Sequence, residues 1–187
     1  RAKSEGRSPK FIYSIPSFQN PQGWTMPLER RRAMVRVAQQ HGIPILEDDC
    51  YVDLRFNGDP VTSIYSLADP GQVMYVASFS KIIAPGMRMG YMTASPEVMD
   101  RVRAIKSGSG VNQFAALAVH RYATDHLEDH VSDINAIVRL KRDAMVAALG
   151  ENFGSVATWS HPDGGLYVWL RMPDGADLLE ARERALE

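Results

Sequence analysis

Ala77–Tyr91, ASFSKIIAPGMRMGY, gathers a lysine, two serines and an arginine around one turn between apolar runs. An amine at a strand end can condense with a carbonyl once some of it is unprotonated. Free lysine titrates near 10.4, so Lys81 would need burial or a neighbouring cation to do so at neutral pH. Seven residues on, Arg88 offers a permanently charged planar fork suited to phosphate. By strand alternation Ser78 and Ser80 share a face, and they add hydroxyl donors. Upstream, EDDCY carries Asp48, able to hold a proton on a heterocyclic nitrogen, and Tyr51, a phenol able to donate to an oxygen. Asn20 in NPQG adds an amide donor.

The elements that must position these residues are readable in outline. KFIYSIPS, residues 10–17, has the pattern of a buried strand, and a helix is expected over about 27–41 with Gly42 as its cap. Residues 43–46 read as a second strand with acids at its end, VMYVASFS as a third and MRMGYMTAS as a fourth. Ser95-Pro96 is an N-cap followed by proline at the first helical position. Two helices are expected over about 112–124 and 126–149, the second closed by Gly150. SVATWSHPDGGLYVWLRMP then reads as two strands joined by a glycine-containing turn, with a last helix after it. Strand–helix alternation argues for an α/β fold with a mostly parallel sheet flanked by helices, followed by the start of a small α+β unit. The expected division is 1–140 and 141–187, within the long helical region. Ligands of parallel sheets bind beyond the carboxyl ends of the strands, where Asn20, Asp48, Ser78, Ser80 and Lys81 fall.

A carbonyl compound carrying a phosphate and a basic ring would use the whole set, and pyridoxal 5'-phosphate is such a compound. NPQG, EDDCY, SFSK and PGMRMGY, in this order and spacing, resemble the class I and II pyridoxal-phosphate aminotransferases of fold type I. The subgroup most similar is that of aminoadipate, kynurenine and aromatic or branched-chain amino acid aminotransferases. The resemblance implies a Schiff-base role for Lys81, a ring-nitrogen partner in Asp48, and ring-hydroxyl donors in Tyr51 and Asn20. It implies a phosphate cradle of Ser78, Ser80 and Arg88. It further implies amino acid and 2-oxo acid substrates, a homodimer, and part of a large cofactor-binding domain followed by the start of a small one. The family is longer than this chain. Its N-terminal phosphate-binding turn and its late carboxylate-binding arginine are missing here, and Arg171 is not given that role, so the segment alone is expected to be inactive.

Composition is that of a globular protein: 187 residues, 45% hydrophobic, 23% charged, net charge −1. No overall field draws the segment to nucleic acid or an anionic membrane. No run of about 20 apolar residues is present to span a bilayer. With Cys50 alone there is no disulfide within the chain, which fits a reducing, cytoplasmic setting. Both ends read as cut from something longer. Arg30-Arg31-Arg32 is expected on a solvated helix face, Cys50 as a small packed side chain, Asp49 in a structural role, and Tyr91, Trp159 and Trp169 in the core. HLEDH, His126–His130, lacks the glutamate directly after the first histidine that a zinc protease needs. The alternative function is an aminotransferase-like effector domain of a winged-helix transcriptional regulator. A phosphoacceptor receiver domain fits poorly, for want of an acid on another strand end and of a proline after Lys81.

Overall fold

The computed structural model describes residue 6 and residues 9–108 and 110–186. The remaining positions of the two expected units lie outside the described residues. A four-stranded sheet takes the order β1-β2-β3-β4, with β1 at Ile12–Ser14, β2 at Ile45–Asp48, β3 at Val73–Ser78 and β4 at Gly90–Thr93. The first three strands are parallel and β4 is antiparallel to β3. Helix α1, Leu28–His41, crosses from β1 to β2 and ends at Gly42, whose φ of 62° supplies the left-handed residue of the cap. Val35 and Ala38 of α1 pack on Ile45 and Val73 of the sheet and on Ile64 of the short helix α2, Ile64–Leu67.

Beyond β4, helix α3, Pro96–Ile105, starts under a Ser95 cap whose hydroxyl accepts from the Val98 amide. Where two helices are expected, there is one: α4 runs unbroken over Gln113–Phe153 and across the 140/141 division. No glycine or proline lies between 113 and 149 to interrupt it, and Gly150 is carried inside its exposed last turn. The end comes at Gly154, whose amide donates to the Gly150 carbonyl at 3.2 Å. Leu127, Val131 and Ile134 of α4, at helical spacing, pack on Phe18, Tyr51, Leu54 and Ile82. Two short strands, β5 at Thr158–Trp159 and β6 at Leu170–Arg171, pair antiparallel, and α5, Leu178–Leu186, follows.

The basic run departs from expectation. Arg30 and Arg32 are exposed, but Arg31 is wholly buried. Its guanidinium donates to the carbonyls of Met26 (3.0 Å), Pro16 (3.1 Å) and Thr62 (3.1 Å) and to the Ser17 hydroxyl (3.2 Å). Glu47, also fully buried, stands 4.0 Å away and accepts from the Ile64 and Tyr65 amides that open α2. Burial raises the Glu47 carboxyl above its ordinary value, and those two amides work against the rise. The physical reason for the departure is position: residue 31 precedes Val35 by one helical turn, so it shares the core-facing stripe. Tyr91 and Trp169, expected in the core, are 52% and 43% exposed, while Trp159 is half-buried.

Removing one member of a buried, hydrogen-bonded ion pair strands the other. Arg31→Met should therefore lower the unfolding free energy by about 3–5 kcal/mol, against less than about 0.5 kcal/mol for Arg30→Met. Urea unfolding of the full-length protein measures both, and equal losses would contradict the assignment.

Candidate active site

The parallel strands end together, and side-chain alternation decides what points where. In β2, Ile45 and Glu47 are buried on the α1 side, so Leu46 and Asp48 take the other face. Tyr13 of β1 pairs with Leu46, which puts it on that same face, one alternation before Asp48. Its hydroxyl donates to Asp48 Oδ2 at 2.6 Å. Burial first, then the hydrogen bond and charge of Asp48, holds the Tyr13 phenol well above the usual phenol range. The neighbouring Asp49 is turned inward, 2% exposed. Its carboxyl is raised by burial, while the Ser17 hydroxyl and the Arg31 charge pull it down.

The chain turns after Asp49 and buries Tyr51, 5% exposed. Burial, then the bond to Tyr167, raises the Tyr51 phenol above the usual range, and the Asn20 side chain hydrogen-bonded to it acts the other way. Asn20 itself is exposed in the loop after β1, where its bond to Pro21 is cis. Between these groups lies Cys50, half-buried. Its thiol is pushed up to about 11 by burial first and by the charge and hydrogen bond of Asp48; Tyr51 and the Lys81 charge lower it. One thiol thus senses both the carboxylate of β2 and the amine beyond β3.

Lys81 is exposed in the turn after β3, so the burial asked for in the sequence reading is not found. Strand β3 ends at Ser78, which corrects the expectation that Ser80 shares its face by alternation. Ser80 lies in the turn instead, and its amide donates to Ser78 Oγ at 3.1 Å. The Ser78 hydroxyl donates in turn to the Met89 carbonyl at 3.2 Å. Arg88 closes a 3-10 turn, Pro85–Met87, in the left-handed region with φ 50°. Its backbone therefore borders Ser78 through Met89, but its exposed guanidinium donates to the Pro85 carbonyl at 3.3 Å. Asn20, Asp48, Tyr51 and Lys81 interact with one another or with Cys50, Ser78 and Ser80 follow in the same strand end and turn, and the Arg88 guanidinium bonds to its own turn.

Two participants escaped the sequence reading. Tyr13 lay inside what read as a buried strand, and the parallel register with β2 was the missing signal. Tyr167, 116 residues from Tyr51, meets it hydroxyl to hydroxyl at 3.3 Å. The segment that carries it is clamped from both sides. The Gly165 amide donates to the Leu54 carbonyl at 2.7 Å, and the Phe56 and Asn57 amides donate to the Asp163 carbonyl. A Cβ at Gly164 would collide with the Leu54 carbonyl and the Phe18 ring, and Gly165 sits at φ 75° against Phe18. The glycine pair is what lets residues 163–167 lie on the turn that holds Tyr51.

A family profile described as aminotransferase class I and II matches residues 2–184. The chain is 35% identical over 187 residues to aromatic-amino-acid aminotransferase 1 of Thermococcus litoralis, covering 98% of this chain and 45% of that protein. It is 33% identical over 166 residues to an uncharacterized HTH-type transcriptional regulator, YisV, of Bacillus subtilis, covering 86% of this chain and 34% of that one. Among solved structures, the kynurenine aminotransferase of Pyrococcus horikoshii in complex with PMP superposes with a TM-score of 0.92, at 36% identity, over 98% of this chain and 46% of that one. The chain spans about half the length of the aminotransferases it matches.

A thiol raised to about 11 is almost wholly protonated at pH 8. Only the thiolate reacts, so Cys50 should be alkylated by iodoacetamide roughly 100-fold more slowly than an ordinary thiol there, with a rate still rising past pH 10. Asp48→Asn removes a cause of the shift and should speed alkylation. A rate that levels off near pH 8, or one indifferent to Asp48→Asn, would contradict this geometry.

Proposed function

This chain belongs to the class I and II aminotransferase family, and we propose that the intact protein moves an amino group between an amino acid and a 2-oxo acid with pyridoxal 5'-phosphate. The observation that carries the reading is the convergence of a carboxylate, a phenol with an amide, and an amine at one end of the sheet, with Cys50 in reach of Asp48 and Lys81. The donor set fits the cofactor in kind. Asp48 accepts from the Tyr13 hydroxyl at Oδ2 and from the Cys50 thiol, and its carboxylate would pair with a ring nitrogen. Tyr51 and Asn20 would hold the ring hydroxyl, Lys81 the aldehyde carbon, and Ser78, Ser80 and Arg88 the phosphate.

Bound there, the cofactor supplies a carbonyl carbon for the amino group and a ring that draws electrons from it. Asp48 would keep the ring nitrogen protonated, and Tyr13, donating to Oδ2, holds that carboxylate in place. Lys81 Nζ, in the turn after β3, would take the proton from the α-carbon of a bound amino acid and return it on the path to product, once it has given up its own proton. Arg88, whose guanidinium donates to the Pro85 carbonyl, would have to leave that bond to reach a phosphate.

The division into units 1–140 and 141–187 and a homodimer belong to the same proposal. Phe114, Leu117 and Leu140 of α4, each more than 60% exposed, leave apolar surface for the rest of the protein or a second copy to cover. No helix among the described residues is long and apolar enough to cross a membrane. We propose a cytoplasmic setting. The likeness to the Bacillus regulator supports a second reading, an effector domain that holds the same cofactor beside a DNA-binding domain.

Full-length protein with pyridoxal phosphate should show a visible absorbance band that the right amino acid bleaches. Lys81→Ala should abolish the band and cost at least about 100-fold in transamination. A reconstituted protein with neither band nor amino transfer contradicts the proposal; a band without transfer, together with DNA binding, favours the regulator.

A further inference from the structure

Two donors meet the Asp48 carboxylate. From β1, the Tyr13 hydroxyl donates to Oδ2 at 2.6 Å, the length of a charge-assisted bond between oxygens. From the turn after β2, the Cys50 thiol donates as well, and a thiol is the weaker donor of the two. The pair are neighbours: Cys50 acts on the Tyr13 phenol in the same upward direction as Asp48. Two more charges bear on the group, the inward-turned Asp49 on Asp48 and Lys81 on Cys50. The placement of Tyr13 does not depend on its hydroxyl. Its backbone is set by the pairing with Leu46, and the residue is 54% exposed, so little packing depends on it.

We infer that Tyr13 is a positioning residue that decides where a shared proton sits: its bond keeps Asp48 charged, so that the proton between Asp48 and the cofactor's ring nitrogen stays on the ring. That role rests on the function proposed above and goes beyond holding the carboxylate in place. A donor to a carboxylate favours its charged form. Without the Tyr13 hydroxyl, Asp48 would draw more of the shared proton to itself, and the ring would carry less positive charge. In the cofactor-free protein the same loss would show at Cys50. Asp48, short of its stronger donor, would hold the thiol proton more tightly.

The test uses the full-length protein, with iodoacetamide as the probe of Cys50 and pyridoxal phosphate as the probe of the site. Tyr13→Phe keeps the ring and removes the donor. In the cofactor-free protein it should slow Cys50 alkylation about 3–10-fold, the weight of one hydrogen bond. In an Asp48→Asn background the same change should alter the rate less than about 2-fold, because the effect passes through the carboxylate. In equilibrium dialysis Tyr13→Phe should bind the cofactor about 5–10-fold more weakly. The pH midpoint of the bound cofactor's visible band should rise, since a less positive ring leaves its attached nitrogen more basic. The cofactor-free melting temperature should stay within about 2 °C.

Both the alkylation rate and the band midpoint must move; either one unchanged in Tyr13→Phe would overturn the inference. So would a slowing of alkylation that persists in full beside Asp48→Asn. A cofactor-free variant that melts several degrees lower, or fails to fold, also overturns it, since that marks a structural role. These outcomes leave the proposed function standing where the wild type binds the cofactor. A wild type that binds none removes the function and the inference together.

Discussion

A charge that leaves water must find partners, and Arg31 is the charge on which this fold turns. Its guanidinium carries five donors and no acceptor, so burial obliges several oxygens to converge on it. Those oxygens belong to Pro16 and Ser17, to Met26 and to Thr62, three separate stretches of the chain. The first leads into the loop of Asn20, and the last leads into α2. Glu47, close by, caps the start of α2 with two accepted amides. Beneath the surface where Asp48 and Tyr51 stand, Arg31, Glu47 and Asp49 thus form the floor that sets the strand ends relative to one another. The ion pair itself earns little net stability; what it imposes is a single arrangement, since any other leaves charges unpaired.

Above that floor the site works by division of labour between adjacent residues. Alternation sends Glu47 and Asp49 inward as structural groups and leaves Asp48 on the open face. Tyr13 engages one oxygen of that carboxylate and fixes its orientation. The tight turn after it buries Tyr51 in the cluster on which Leu127, Val131 and Ile134 of α4 pack. The late glycine pair brings a second phenol to the first. Groups from β1, β2, the β3–β4 turn and the late hairpin therefore meet in one place, although none of these segments could hold a ligand alone.

Much of this was legible from residue order. The cap at Gly42, the Ser95-Pro96 helix start, the parallel sheet and the clustering of polar residues at strand ends all follow from local chemistry and period. What stayed hidden depends on tertiary neighbours. Arg31 is one of three arginines in a row, and only the phase of α1 against Val35 tells which one enters the core. Tyr13 needed the parallel register between β1 and β2. Tyr167 needed the close approach that Gly164 and Gly165 permit, more than a hundred residues from its partner. The one long helix α4 was divided in the reading because no local signal distinguishes a boundary at Asp125 from an exposed helical position.

The central claim is that Lys81 is the amine that takes up the cofactor's carbonyl carbon. Borohydride reduction of the full-length protein with pyridoxal phosphate would fix any such linkage permanently, and peptide mapping by mass spectrometry would locate it. The account predicts a single pyridoxyl adduct on Lys81. An adduct on Lys10, Lys106 or Lys141 in its place, or no adduct at all, would contradict it.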